Sequence, residues 1–542
     1  MSTIKKWDVE DPAFWNAEGK KIAQRNLWVS IPNLLCGFAV WLYWGMIAKG
    51  IQALHFGNTD LFNFTFGNDG QPLGGDAYRA LLFNLPAVAG LAGATLRIPN
   101  SFMISLCGGR NVKFMTTLLL LLPAVAAGFA LQNPDTPFLT FVILAALSGV
   151  GGGAFASSMS NISFFFPKRM QGLSLGLNAG LGNAGVSVMQ FLIPWAITFG
   201  MFGGDPFKLV KAGKTTDMWL QNAAFVWVPI LGVCLIGAFF FMNNLPQHNK
   251  GGSNLGAIGK YLWLTLLGFV GASAAIFLLL MDWGGFPNLL KLLMIVAVAV
   301  VTTLLLMKFA TPAATKENLQ GQFAIFKNKH NWVMTWLYTM TFGSFIGYAN
   351  AFPKLIDDVF GVIRVDGSGN ALQESILNPN APVASHFIWI GAAVGALIRP
   401  VGGWLSDKWG GARVTQWDTY VMVAATIGAG YYVSLASQSV TPEQYFMPFL
   451  GLFILLFATT GIGNGSTFRM IPIIFEKEQA GPVLGWTSAI AAYGAFLIPK
   501  VFGSQIKAGH PEYALYGFAG YYASCLVMNW WFYARKNAEI PC

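Results

Sequence analysis

Two arginines carry the strongest chemical signal in this sequence. Arg97 lies in the middle of a run, Ala80 to Cys107, that otherwise reads as lipid-soluble, inside "GATLRIPNSFM" (93–103). Arg399 stands in "GALIRPVGGWLSDKWGG" (395–411). Each begins Gly-Ala, has its arginine four residues after that glycine, and reaches a Gly-Gly pair eleven residues beyond the arginine. Eleven helical residues rise about 16 Å, close to half of a hydrocarbon core of roughly 30 Å, so both side chains are expected near the midplane. A guanidinium there costs roughly 2.5–3.5 kcal/mol on the insertion scale, and neither is expected to face lipid. Arg399, six residues before the predicted end of its span at Leu405, has a second option: snorkelling to the headgroups.

What balances these charges decides what they do. The 23 acidic residues fall in termini, loops or the first or last turns of predicted spans, and His55, His248, His330, His386 and His510 fall in loops or at span edges. Arginine does not release its proton at physiological pH. The counter-charge is therefore expected to arrive from outside as an anion. Tyr338 and Phe342, four apart in "WLYTMTFGSFIGY", share a helical face; Phe155 follows the glycine-rich "GVGGG", and Asn183 sits in "GLNAGLGNAG". Guanidinium forks beside aromatic faces suit a small, planar, weakly hydrated oxyanion. Ordinary helix packing is the alternative reading of the aromatics taken alone.

The elements that position these residues follow from composition. The chain has 542 residues, 55% hydrophobic and 10% charged, with mean hydropathy +0.54, where a soluble domain carries about 25% charged residues. This composition is that of an all-α integral membrane protein. Fourteen spans are predicted: 27–48, 80–107, 112–132, 137–166, 172–200, 222–244, 260–281, 285–307, 331–352, 384–405, 415–437, 445–475, 482–503 and 512–534. Lys and Arg concentrate in the connectors that a cytoplasmic N-terminus places inside, which makes both termini cytoplasmic in a multi-pass protein of the cytoplasmic (inner) membrane. "EDPAFWNAEGKKIAQRN" (10–26) reads as an interfacial helix with Asp11 as N-cap and Pro12 in the first turn, and no cleaved targeting peptide is expected.

Internal echoes extend beyond the arginines. "GNAGVSVMQFLIP" (182–194) pairs with "SAIAAYGAFLIP" (488–499), and "GVGGGAF" (149–155) with "GIGNGST" (461–467). The economical division is a cytoplasmic helix 1–26, a six-helix half 27–245, a linker 246–330 with an extra hairpin, a second six-helix half 331–535 and a cytoplasmic tail 536–542. The hairpin, 260–307, has only Ser and Thr as polar residues in mid-membrane and is expected to be peripheral.

The composition and motifs also weigh against other functions. The formal charge of +10 comes from basic residues scattered singly or in pairs, without the stripe that nucleic acid requires. The five cysteines, Cys36, Cys107, Cys234, Cys525 and Cys542, lie far apart, so neither a disulfide framework nor a metal site is expected, and no cofactor is implied. "GLGNAG" (180–185) matches a dinucleotide fingerprint but lies inside a membrane span, where small residues allow close helix approach. An enzyme is the least favoured class.

The paired arginines, "GGWLSDKWGGARV" (402–414), "FASSMSNISFFFPK" (155–168), "GLGNAGVSVMQ" (180–190) and "TFGSFIGY" (341–348) resemble the NarK-type nitrate/nitrite porters of the major facilitator superfamily. The likeness covers nearly everything outside 247–320 and the longer outer loops. It implies a major facilitator fold of two pseudo-symmetric six-helix halves plus two extra central helices. It further implies that Arg97 and Arg399 clamp nitrate or nitrite, that Phe155 and Phe342 sandwich it, and that Tyr338, Asn183 and Ser488 orient it. Glycines Gly176, Gly180, Gly182, Gly185, Gly461, Gly463, Gly465 and Gly494 would let helices pack closely and rock, and Gly403, Asp407 and Arg413 would form the conformational loop motif. Ala179, Ala491 and Ala495 depart from the glycine pattern.

Two guanidiniums about 8 Å apart would repel by roughly 2 kcal/mol at an effective dielectric of 20, while a monovalent anion about 4 Å from each gains about 4 kcal/mol per contact before desolvation. An empty carrier is then expected to resist reorienting, which points to obligatory nitrate/nitrite exchange by alternating access. Proton-coupled nitrate symport is the alternative, with an anion channel less favoured.

Overall fold

The computed structural model describes all residues except 1–3, 5, 65–72, 74, 212–213, 250–251 and 367. The long apolar stretches of the sequence fold as helices because a chain in lipid must satisfy its backbone N–H and C=O groups within itself. Among the described residues, eleven helical runs are long and apolar enough to cross a membrane. They are α1 (Pro12–Gly57), α2 (Ala77–Asn100), α3 (Gly109–Gln132), α4 (Phe138–Phe165), α6 (Asn222–Phe241), α7 (Asn254–Leu280), α8 (Asn288–Phe309), α10 (Ala384–Trp409), α11 (Gly411–Ser437), α12 (Pro442–Ile474) and α13 (Glu478–Lys507). The other three predicted spans are helical too: α5 (171–196, turning at Ala184), α9 (329–355) and α14 (Glu512–Asn529).

Local chemistry explains the boundaries that matter. Asp11 caps the first helix by accepting from Ala13 N at 2.9 Å with Pro12 behind it, and that helix runs on into the first span rather than ending before it. Gly108 and Gly410, at φ +82° and +88°, occupy the left-handed region that favours glycine and turn the chain after the two arginine-bearing helices. Residues Thr339–Gly343 of α9 form a π-helical turn, an irregularity that recurs at functional sites. Two antiparallel hairpins absent from the sequence reading occupy loops, Phe207–Lys211 with Lys214–Met218 and Val362–Val365 with Ala371–Leu377.

The chain packs as two compact units. The first comprises Met1–Asn161, Val188–Gly285 and Leu293–Gly321, and the second Ile162–Ser187, Phe286–Leu292 and Gln322–Cys542. In the first unit, α7 packs one face on its neighbours and exposes the other, with Leu262, Leu266, Val270 and Phe277 on the outer side, as a peripheral helix does. A Cβ at Gly268 would stand 2.9 Å from both Leu96 Cδ2 and Pro99 Cγ, so α7 lies directly on the helix that carries Arg97. Tyr261 and Thr116 share a hydrogen bond of 2.9 Å that ties α7 to α3. The physical reason for this close packing is the missing side chain at Gly268, which polar-residue counting does not register. Its partner α8 likewise exposes Met294, Val301 and Leu305. In the second unit α10, α11 and α12 pack together, and the first part of α5 lies against α10.

Candidate functional site

Arg97 is fully buried in α2. Its Nε donates to Gly152 O at 2.7 Å, and its guanidinium carbon lies 4.8 Å from the Phe155 ring centre, 5.1 Å from Trp41 and 5.7 Å from Phe38. The glycine run of α4 makes this possible. A Cβ at Gly152 would stand 2.6 Å from Gly93 Cα and 2.7 Å from Trp41 Cε2, and one at Gly151 would stand 2.2 Å from Gly37 O. With only hydrogens at these positions, α1, α2 and α4 meet backbone to backbone. Trp41 slides over Gly93, donates its indole N–H to Ala89 O at 2.6 Å, and forms one wall around the charge.

Arg399 is also fully buried, at the start of the second segment of α10, in a different setting. Its Nε donates to Gly395 O of its own helix at 3.3 Å, while Nη1 and Nη2 have no hydrogen-bond partner among the described residues. Burial removes the snorkelling option. The guanidinium carbon lies 4.2 Å from the Phe345 ring centre and 5.6 Å from that of Phe342. Phe342 stacks on Tyr338 at 5.6 Å, and Tyr338 stacks on Phe468 at 4.2 Å. The structure thus joins three predicted residues, Arg399, Phe342 and Tyr338, in one aromatic-lined well.

Glycines bring the surrounding helices close to this cluster. A Cβ at Gly465 would stand 2.5 Å from Arg399 O, one at Gly461 2.3 Å from Gly395 O, and one at Gly180 2.6 Å from Ala396 O. Gly176 would meet Arg399 O at 3.1 Å, and Gly494 would meet Gly343 O at 2.3 Å, holding α13 against the π turn. Gly182 and Gly185 are buried on either side of the turn at Ala184. Asn183 is buried and donates to Ala179 O at 2.6 Å, leaving Oδ1 without a hydrogen-bond partner among the described residues. Ser488 is buried and donates to Gly485 O at 2.7 Å.

Of the loop-motif residues, the structure brings Gly403 and Asp407 against the start of α5. A Cβ at Gly403 would stand 2.2 Å from Gly172 O. Asp407 accepts from Leu173 N at 3.1 Å and from Arg469 Nε at 3.3 Å, which gives Arg469 its partner at the end of α10. Arg413 is exposed.

Sequence reasoning missed four aromatics and one acid. Trp41 and Phe38 are three apart in α1, and Phe345 is three from Phe342; this spacing was the available signal. Phe468 follows "GIGNGST" directly. Asp418, placed by the sequence in the first turn of span 415–437, lies two turns inside α11, because that helix begins at Gly411. It is buried, which corrects the expectation that no carboxylate lies inside the bundle.

The helices adopt the major facilitator fold. The chain superposes on the proton:xylose symporter XylE with a TM-score of 0.59 at 14% identity, over 94% of this chain and 96% of that one. It superposes on the human organic anion transporter MFSD10 with a TM-score of 0.54, over 94% and 99%. No family model matches the chain. Among curated proteins it is 33% identical to the "Probable nitrate/nitrite antiporter NarK2" of Thermus thermophilus, over 99% of this chain and 98% of that one. It is 32% identical to the nitrate/nitrite transporter NarU of Escherichia coli strain K12, over 98% and 96%. The chain belongs to the NarK/NarU family of nitrate/nitrite transporters.

Proposed function

We propose that this protein carries nitrate and nitrite across the cytoplasmic membrane by obligatory exchange, one anion inward for the other outward. The observation that carries the reading is Arg399: a buried, permanently charged group in a membrane helix, packed on aromatic faces, with both terminal nitrogens lacking a hydrogen-bond partner among the described residues. Such donors are costly to leave unmatched, and a planar monovalent oxyanion supplies matching acceptors and the opposite charge. Arg97, set beside Phe155, is the corresponding group of the other half. Tyr338, Asn183 and Ser488 orient the anion, and the buried glycines allow the helices to rock.

The division into two six-helix halves, 27–245 and 331–535, joined by 246–330, fits alternating access, with both termini cytoplasmic and lipid around the bundle. Two relatives bear antiporter names, which favours exchange. A specific observation, the buried Asp418, favours proton-coupled symport as the second reading. Nitrate uptake into proteoliposomes, empty or preloaded with nitrite, with and without a pH gradient, separates the two. Uptake that requires internal nitrite and ignores the gradient supports exchange; uptake into empty vesicles driven by an inward proton gradient supports symport.

A further inference from the structure

Asp418 is 7% exposed, and its Oδ2 has no hydrogen-bond partner among the described residues. It points at α12: a Cβ at Gly463 would stand 2.8 Å from Asp418 Oδ2 and 2.6 Å from Thr341 Cγ2. The nearby hydroxyls are engaged elsewhere. Thr419 donates to Thr415 O at 2.7 Å, Thr415 and Ser466 bond each other at 2.7 Å, and Thr467 donates to Gly463 O at 2.6 Å.

Charged and titratable groups also stand on the elements around this end of α11: Cys542 O accepts from Ala412 N at 3.0 Å, and the Arg535 guanidinium carbon lies 4.4 Å from the Trp531 ring centre. On α10, Asp407 pairs with Arg469 of α12, and Lys408 lies 3.9 Å from the Trp404 ring centre. On α14, Tyr522 bonds Ser344 and Tyr348, Tyr521 donates to Trp336 O at 2.6 Å, and Cys525 lies 4.0 Å from that oxygen. Beyond it, Tyr533 bonds His330 at 3.0 Å. On α11 itself Arg413 is exposed. The π turn of α9 contributes Thr341 and no ionisable side chain. The acids of 356–360 and 442–445, with Arg364, lie toward the opposite end of α11, where Asn378 bonds both Phe360 O and Glu443.

A lone carboxylate in a low-dielectric interior favours its neutral, protonated form unless a cation's field holds it ionised. The buried cation across α12 from Asp418 is Arg399. Along α12, Gly461 and Gly465 face the Gly395–Arg399 backbone, while Gly463, on the opposite face, meets Asp418. Thr341, against the same glycine, precedes Phe342, whose ring lies near the Arg399 guanidinium. One helix diameter, about 10 Å, is a distance at which two charges in protein remain coupled on the order of tenfold in affinity.

We propose that Asp418 is a proton-binding site linked to anion binding at Arg399. This rests on the reading above in one respect, that Arg399 receives the anion. With Arg399 unoccupied, its positive field favours the Asp418 carboxylate; an anion neutralises that field, and Asp418 takes up a proton. By reciprocity a proton on Asp418 strengthens anion binding, so affinity falls as pH rises. In exchange the proton accompanies either anion in both directions, and the cycle stays balanced.

The test uses the purified full chain in detergent, weakly buffered with an indicator dye, with nitrate added between about pH 5 and about pH 9. The expected result is proton uptake on nitrate binding, with a nitrate Kd that weakens about tenfold across this range. In Asp418→Asn, which keeps the shape, nitrate still binds, proton uptake disappears and Kd becomes independent of pH. Nitrate binding without proton uptake at any pH in wild type overturns the proposal even if the variant fails to fold. An Asp418→Asn profile equal to wild type overturns it too. Absence of nitrate binding in wild type at every pH overturns the anion reading and this proposal with it.

Discussion

Arg97 and Arg399 occupy matching places in the internal repeat, yet the first unit and the second hold them differently. Arg97 is tied across helices by its bond to Gly152 O and walled by rings from α1 and α4. Among the described residues Arg399 bonds its own helix through Nε, and its rings come from the π turn of α9 and the turn after it. The echo "GVGGG" against "GIGNG" places Asn464 where Gly152 stands; Gly152 O accepts from Arg97 Nε, whereas the Asn464 side chain donates to Thr460 O at 2.7 Å. One half grips its charge through the backbone, while the other leaves two guanidinium nitrogens without a hydrogen-bond partner among the described residues. The repeat thus specifies where charge sits, and the surrounding glycines and rings specify how firmly.

The largest effect expected from this difference is on transport. Arg399→Lys should lower nitrate/nitrite exchange by about 100-fold, because a compact ammonium lacks the planar fork. Arg97→Lys should be comparably inactive but should also melt at a lower temperature than Arg399→Lys, since it alone loses a cross-helix bond from a charged donor, of about 1.5–3 kcal/mol. Equal melting temperatures for the two variants would remove the distinction between the wells. Next in size, Gly152→Ala should destabilise the protein by about 1–3 kcal/mol through overpacking against Gly93 and Trp41, whereas Asn464→Ala should be nearly neutral in thermal melts.

A smaller change is expected from the rings. Phe345→Leu should raise the half-saturation for nitrate by about 3- to 10-fold and more than Phe342→Leu does, because Phe345 lies closer to the guanidinium. The smallest effect concerns the second unit's tail. Glu539 is held below the ordinary carboxylate range, first by its bond to Lys329 and then by His330. Its contribution to stability is therefore present above the ordinary value and lost as pH falls through the lowered one. Glu539→Gln should melt slightly below wild type at neutral pH and converge with it in acid.

How much of this was legible in the sequence depended on what each residue needed from its surroundings. The arginines were readable because charge in an apolar run is rare and the repeat doubled the signal. The aromatic walls were only half readable: Phe155, Phe342 and Tyr338 emerged, while Trp41 and Phe345 required knowing which helix face meets which. Asp418 was lost to a boundary. Reading α11 from 415 rather than Gly411 moved a buried carboxylate into the first turn, because a helix boundary is the feature a sequence pattern places least sharply. Gly268, which seats α7 against α2, was invisible because a missing side chain announces nothing until its neighbour is known.

The central claim, that the partner for the Arg399 guanidinium is the transported anion, is tested most directly by equilibrium binding of labelled nitrate to the purified protein and to Arg399→Gln. The account predicts saturable binding to wild type that nitrite displaces and sulfate does not, with binding lost in Arg399→Gln while its thermal melt stays cooperative. Nitrate binding of wild-type strength in a folded Arg399→Gln would contradict it.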